Sequence, residues 1–150
     1  MKKLLAALLG TLPGIVLAVP PDACTVLTLD EINAISAGKA EKAQVLQSGN
    51  PTKCSWVDSR RAAVLVVTLR EVQYAVRDEM FVEMGNLEKI YRGHAKNLDT
   101  LGDGGYWLQA NKQLTFRKGR TIVSVNFSTA RNQNELDSAQ VARLVESRLK

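Results

Sequence analysis

The sequence contains little of the residue chemistry on which most enzymes depend. Among its 150 residues there is one histidine, His94, and there are two cysteines. A serine or cysteine hydrolase would need His94 as its base, and a zinc site would need more ligands than these. The carboxylates show no spacing that is typical of a glycosidase pair. We therefore expect a protein that is not an enzyme, with no catalytic residues, no metal ligands and no cofactor.

The chain also lacks a strong charge of one sign. Lysine and arginine number 20 against 15 aspartate and glutamate residues, which gives a formal net charge of +5. Lys2 and Lys3 supply part of this small and scattered excess, so we expect no nucleic-acid partner. After the N-terminal segment no apolar run approaches the ~20 residues of a membrane-spanning helix. We therefore expect no stable membrane insertion of the mature chain.

What the sequence does contain at its start is "MKKLLAALLGTLPGIVLA". Two lysines precede an apolar run, and Val16 and Ala18 are small residues suited to a cleavage site. This pattern predicts a signal peptide at 1–18 and a single domain at 19–150, located in the periplasm or secreted. An N-terminal membrane anchor is the alternative, but the run is short for a spanning helix and contains Gly10 and Pro13.

Cys24 and Cys54 both lie in the predicted mature chain. Paired cysteines in an exported protein favour a disulfide, although free structural thiols or one reactive thiol remain alternatives. Lipid attachment at Cys24 is a further alternative, which Asp22 disfavours. Residues of "CSWVDS" alternate in a strand pattern that places Cys54 and Trp56 on one face.

Periodicity predicts the remaining elements. Thr28 and Glu31 form a capping box before a short helix, with Gly38 at its end, and 39–53 is a predicted surface loop. A strand hairpin, a long helix, three further strands and a last helix are predicted at 54–59, 62–71, 74–94, 106–110, 113–118, 120–128 and 134–150. This order predicts an α+β domain in which one antiparallel sheet of about five strands has its helices packed on one face, with one disulfide.

The two longer helices have apolar stripes that predict their core-facing sides. The predicted stripes consist of Val76, Met80, Phe81, Met84, Leu87, Ile90 and Tyr91 in the first of these helices, and of Leu136, Val141, Leu144, Val145 and Leu149 in the second.

The stretch "LGDGGYW" at 101–107 raises the question of a phosphate-binding loop. A Walker loop needs Gly-Lys-Ser/Thr before a helix, whereas a strand pattern follows here, and Trp107 occupies the position of the third glycine of a dinucleotide fingerprint. We interpret the stretch as a tight bend in which Gly102 and Gly104 adopt positive φ and Asp103 accepts backbone N–H bonds.

The bend also supplies the candidate binding residues. Tyr106 and Trp107 should point to opposite faces of the next strand, with one ring in the core and the other at the surface. An exposed ring beside the bend could contact a ligand. The candidate ligand-binding or partner-binding residues are therefore Trp107, Tyr106, Asp103 and Gly104.

"DACTVLTLDEINAI", "CSW" and "LGDGGYW" together resemble a widespread, largely uncharacterised family of small exported bacterial proteins and lipoproteins. Its members have an Asp-x-Cys segment, a Cys-x-Trp strand and a Leu-Gly-Asp-x-x-Tyr-Trp turn. The chain departs from that pattern at Thr100 and Gly105. The resemblance implies a fold similar to the PsbP-like α/β sandwich and a disulfide, and it carries over no catalytic residue.

These observations favour a small exported, non-catalytic binding protein of the bacterial cell envelope. Its partner would be an unknown envelope protein or component. An inhibitor or immunity protein that acts on an exported enzyme is the first alternative, and an envelope hydrolase that uses His94 or Asp103 is the second.

Overall fold

The structure, a computed structural model, describes residues 20–37, 39–72, 77–127 and 134–150. The predicted signal peptide at 1–18, Gly38 and Val76 lie outside these residues. The elements follow a short 3₁₀ turn at Ala23–Thr25, and they are α1 (Leu29–Ser36), β1 (Lys42–Gln47), β2 (Thr52–Val57), β3 (Ala63–Glu71), α2 (Arg77–Tyr91), β4 (Ala95–Leu98), β5 (Gly105–Leu108), β6 (Gln113–Lys118), β7 (Thr121–Phe127) and α3 (Asn134–Arg148).

The strands of the described residues form one antiparallel sheet, in the order β1-β2-β3-β7-β6-β5-β4. The α+β class and the antiparallel sheet are confirmed, but the expected five strands are in fact seven. The two additional strands, β1 and β4, are the outermost ones. The predicted loop at 39–53 is therefore wrong in part. "KAQVLQ" and "AKNL" bury little side-chain surface, so backbone pairing rather than apolar alternation defines them.

The larger core lies between one face of the sheet, α1 and α3. Its biggest buried side chains include Trp56, Phe116 and Phe127. These side chains alternate with residues of the opposite face along β2, β6 and β7, as the two-residue period of a strand requires. This face carries most of the apolar surface that folding removes from water.

A second, smaller core lies on the opposite face of the sheet beneath α2. It joins Met80 of α2 to Tyr106 and Leu108 of β5 and to Ile122 of β7. The expectation that the helices pack on one face is therefore wrong. Because β5 is buried on both of its faces, apolar side chains remain on the second face, and α2 covers them.

The predicted apolar stripes of α2 and α3 are confirmed in part. Met80 is buried, and Phe81, Met84 and Leu87 pack around it, while Ile90 is 71% exposed because the apolar contacts of α2 end before it. Tyr91 is exposed as well. In α3 the side chains of Val141 and Val145 are buried, with Leu144 and Leu149 packed against the same core, whereas Leu136 is exposed.

The predicted disulfide is present. Cys24 in the 3₁₀ turn is bonded to Cys54 in β2, and their Cα atoms lie 5.0 Å apart. Cys54 shares its face of β2 with Trp56, as expected, and both belong to the larger core. The bond therefore attaches the segment that leads into α1 to the sheet. Across the described ranges no helix has the length and apolar character needed to span a membrane.

Candidate functional site

The glycine bend before β5 packs closely against β6. Gly102 and Gly104 have φ values of +56° and +117°, which confirms the predicted bend. A Cβ atom on Gly102 would lie 2.1 Å from the carbonyl oxygen of Arg117. Only glycine therefore fits this approach of the bend to β6.

Hydrogen bonds connect the bend to two other elements. The Asp103 carboxylate accepts the Gly119 backbone N–H at 2.7 Å, so the bend secures the turn between β6 and β7. The backbone N–H of Gly102 donates to the Glu146 carboxylate of α3 at 3.0 Å. The bend thus connects the β6–β7 turn to α3. Its charged side chain, Asp103, takes part in the contact with the turn.

The two aromatic residues after the bend point to opposite faces, as predicted. Trp107 belongs to the larger core and Tyr106 to the smaller one, and they are 3% and 0% exposed. The prediction that one of the two rings lies at the surface is therefore wrong, because helices cover both faces of β5. Among the four candidate binding residues Gly104 is also buried, so only Asp103 is exposed to solvent.

Tyr106 has an unusual environment within the smaller core. Its hydroxyl oxygen is buried and has no hydrogen-bond partner in the described part of the chain. Burial raises the pKa of Tyr106 to about 12, and the negative charge of Glu83 raises this pKa further. The phenol is therefore desolvated and neutral at physiological pH.

An ion-pair cluster lies beside this phenol. The guanidinium of Arg70 on β3 donates to Glu79 and Glu83 of α2, each at 2.7 Å. These contacts attach α2 to the sheet and border a groove of about 260 Å³. Arg70 therefore neutralises much of the negative charge of the two carboxylates that line this groove.

A larger groove, of about 520 Å³, lies between α1 and α3 on the outside of the larger core. We call it the α1–α3 groove, and it is lined by Glu31, Ala34, Ile35, Gln140, Arg143, Leu144 and Ser147. Ile35 and Leu144 are partly buried and form an apolar floor, and the remaining side chains border it. Its volume lies in the range of ordinary ligand pockets, ~300–1,000 Å³.

Three contacts hold α1 in place at one end of this groove. The capping box is present, since the Thr28 hydroxyl accepts the Glu31 N–H at 3.3 Å and the Glu31 carboxylate accepts the Thr28 N–H at 2.8 Å. Arg148 of α3 donates to both carboxylate oxygens of Glu31 and to the carbonyl oxygen of Val26. The disulfide at Cys24 anchors the same segment to β2.

The hydrogen bonds of Arg148 lower the pKa of Glu31 to about 2, and the backbone N–H of Thr28 adds to this effect. The Glu31 carboxylate is therefore ionised throughout the neutral and mildly acidic range. At this end of the groove the charge of Arg148 is neutralised by Glu31.

At the rim of the groove lies a second cation. Arg143 is exposed and has no ion pair with any residue in the described ranges. The groove therefore combines an apolar floor with one unpaired positive charge. Sequence reasoning placed Leu144 on the apolar side of its helix but missed the groove, because that depends on where α1 and α3 meet.

The single histidine lies outside these features. His94 is exposed and comes just before β4. Among the described residues no three histidine, cysteine, aspartate or glutamate side chains are grouped closely enough to bind a metal ion.

Comparison with known proteins adds no assignment, since no family model matches the chain and no curated protein is significantly similar to it.

Proposed function

We propose that this chain is a small exported, non-catalytic binding protein of the cell envelope. In this proposal the α1–α3 groove holds an apolar segment of a partner polypeptide that also carries an acidic side chain. The observation that carries the proposal is the groove itself, with its apolar floor of Ile35 and Leu144 and, at its rim, Arg143, which forms no ion pair with the residues that the structure describes.

Contacts within the chain fix both helices of the groove in the absence of a partner. The Glu31–Arg148 ion pair joins its two helices, and the Cys24–Cys54 disulfide anchors the chain just before α1. A site that is already ordered loses less conformational entropy on binding. This arrangement favours recognition by a preformed surface.

The geometry favours a helical occupant. A helix of eight residues such as α1 is about 12 Å long, so a partner helix lying between α1 and α3 would contact them over roughly two turns. Amphipathic helices commonly bind in apolar grooves through side chains spaced three or four residues apart. An acidic side chain of the partner, placed beside the floor, would pair with Arg143.

Export is supported by two independent features. The N-terminal sequence has the order of a signal peptide, with basic, apolar and small residues in turn. The Cys24–Cys54 disulfide belongs with an oxidising compartment, because disulfides are rare in the cytosol of most organisms. The resemblance to small exported bacterial proteins favours the same location.

Site-specific photo-crosslinking in intact cells tests the proposal. A photoreactive residue at Gln140, on the groove rim, should crosslink to a discrete envelope protein. The same residue at Lys89, exposed on α2, should not give that product. Arg143→Glu should weaken the Gln140 product because it reverses the charge that pairs with the partner. Lys89→Glu is the matched control for net charge and should leave the product unchanged.

Blocking the floor gives a second test. Ala34 is exposed at the groove, so Ala34→Tyr should fold normally and fill the space that the partner would occupy. Loss of the Gln140 product in this variant, with unchanged thermal stability, is the expected result. Equal crosslinking from Gln140 and Lys89, or a Gln140 product that survives both Ala34→Tyr and Arg143→Glu, would overturn the proposal.

A further inference from the structure

The strand β1 forms one end of the strand order within the described residues, and it is exposed along its whole length. All six of its residues are exposed, and among them Val45 and Leu46 are 55% and 50% exposed. Such a strand presents backbone N–H and C=O groups that can pair with another strand. Lys42 is the single charged residue of β1, and the strand contains no proline that would block pairing.

The opposite end of the sheet is different. β4 has four residues, and the ammonium group of Lys96 within it is held by Glu135 of α3 at 2.7 Å. A very short edge strand offers few backbone groups for pairing with another strand, and β1 is two residues longer. The two ends of the sheet are therefore unequal, and β1 is the end that is open to a new strand.

We propose that β1 pairs with β1 of a second copy of this chain, so that the two sheets join across a two-fold axis in an antiparallel arrangement. This inference does not depend on the α1–α3 groove.

The faces of β1 limit the possible registers. Ala43 and Val45 pair with Trp56 and Cys54 and share their face, whereas Gln44 pairs with Ser55 on the other face. A two-fold axis perpendicular to a sheet requires that opposed residues lie on the same face. An axis through any single residue of β1 satisfies this requirement, and the axis at Gln44 is the one that places the apolar Ala43 opposite Val45 of the second copy.

Charge is compatible with the same register. With the axis at Gln44, the two Lys42 ammonium groups lie at opposite ends of the paired segment. Like charges directly opposed would destabilise a strand pair, and none are opposed here. The Ala43–Val45 contacts extend the apolar face of the sheet across the axis.

The paired segment is short. The register between β1 and β2 shifts between Val45 and Gln47, which leaves Leu46 as a bulged residue. A bulge ends the regular ladder. We therefore expect a dimer that forms as the protein concentration rises and dissociates on dilution.

Cysteine substitution tests the register. Residues that face each other across antiparallel strands have Cα atoms about 4.5–5.5 Å apart, a distance that a disulfide can bridge. Gln44→Cys should therefore form a disulfide-linked dimer under mild oxidation, and Lys89→Cys, exposed on α2, should not. Ala43→Cys mixed with Val45→Cys should give a linked heterodimer faster than either variant alone.

Sedimentation of the mature protein over a range of concentrations tests the association directly. The expected result is a shift from the monomer mass to the dimer mass. Val45→Lys should abolish this shift and Leu136→Lys, at another exposed apolar site, should not. A monomer at every concentration, with Gln44→Cys no faster to crosslink than Lys89→Cys, would overturn the proposal. If Gln44→Cys instead forms a disulfide with another envelope protein, the strand that pairs with β1 belongs to that protein, and the dimer proposal is overturned.

Discussion

Arg148 in the last helix donates hydrogen bonds to both carboxylate oxygens of Glu31 in the first helix. The two residues are 117 positions apart in the sequence. Glu31 is also the third residue of α1 and the partner of Thr28 in its capping box, so one carboxylate both caps the start of a helix and joins that helix to another. Its ionisation therefore bears on the stability of the fold and on the shape of the α1–α3 groove.

Acid should weaken this contact. The pKa of Glu31 in the folded chain is lowered from 4.5 to about 2, so its stabilisation is present above pH 4.5 and is lost as the pH falls towards 2. Arg148→Gln should lower the free energy of unfolding by roughly 1 kcal/mol at neutral pH, since the pair is partly screened by solvent. Urea unfolding measured from pH 2 to 7 should show this difference disappearing in acid. Lys89→Gln should keep the wild-type profile, and a difference for Arg148→Gln that is constant with pH would contradict the assignment.

Removal of the disulfide should destabilise the domain. The sequence separation of Cys24 and Cys54 is 30, and closing a loop of that size contributes roughly 3–4 kcal/mol in chain-entropy models. Cys24→Ala/Cys54→Ala should show this loss in urea unfolding. A reductant should lower the stability of the wild type by a similar amount and leave the double variant unchanged. Equal stability of oxidised and reduced wild type would show that the bond does not support the fold.

Three glycines should respond differently to alanine. Gly102→Ala should destabilise by about 2–5 kcal/mol, because strain at positive φ adds to a clash with the Arg117 carbonyl oxygen. Gly119→Ala also has positive φ but meets open space, so a loss of about 1–2 kcal/mol is expected. Gly85→Ala, in the interior of α2, should instead stabilise by about 0.5–1 kcal/mol. Thermal unfolding checks this order, and Gly102→Ala with no greater loss than Gly119→Ala would contradict the close approach.

The buried phenol of Tyr106 should be dispensable. Tyr106→Phe removes a buried hydroxyl that forms no hydrogen bond with the described residues, so we expect a gain of about 1 kcal/mol in the free energy of unfolding. The raised pKa, about 12, means that wild-type stability falls as the pH rises from 10 towards 12, and this loss should be smaller in Tyr106→Phe. Tyr91→Phe, at an exposed site, should behave as wild type. A loss of stability in Tyr106→Phe at neutral pH would indicate a partner for the hydroxyl.

Local features were predictable where a few neighbouring residues decide them. The capping box of Thr28 and Glu31 and the positive φ of Gly102 and Gly104 depend on backbone geometry within one turn. The hairpin of β2 and β3 follows from two apolar runs separated by a short polar link. The disulfide was predictable as well, because the chain contains a single pair of cysteines.

The edge strands were not predictable in the same way. β1 and β4 pack few side chains into either core, so the apolar alternation that identifies a strand is missing from "KAQVLQ" and "AKNL". Their conformation comes from backbone pairing with β2 and β5, which no residue of either strand encodes alone. The prediction of an exposed ring at 106 or 107 was wrong for a related reason, since each ring packs into a core that residues of several other elements complete.

The sequence by itself determined the helix caps, the glycine bend, the cysteine pair and the alternation of Tyr106 and Trp107, because each depends on residues close together in the chain or on a unique pair. Only the tertiary structure decided which strands form the ends of the sheet, that both of its faces are covered, and that α1 and α3 enclose a groove with Arg143 at its rim. Those outcomes depend on contacts between distant segments, and a single sequence specifies them only through the packing of the whole chain.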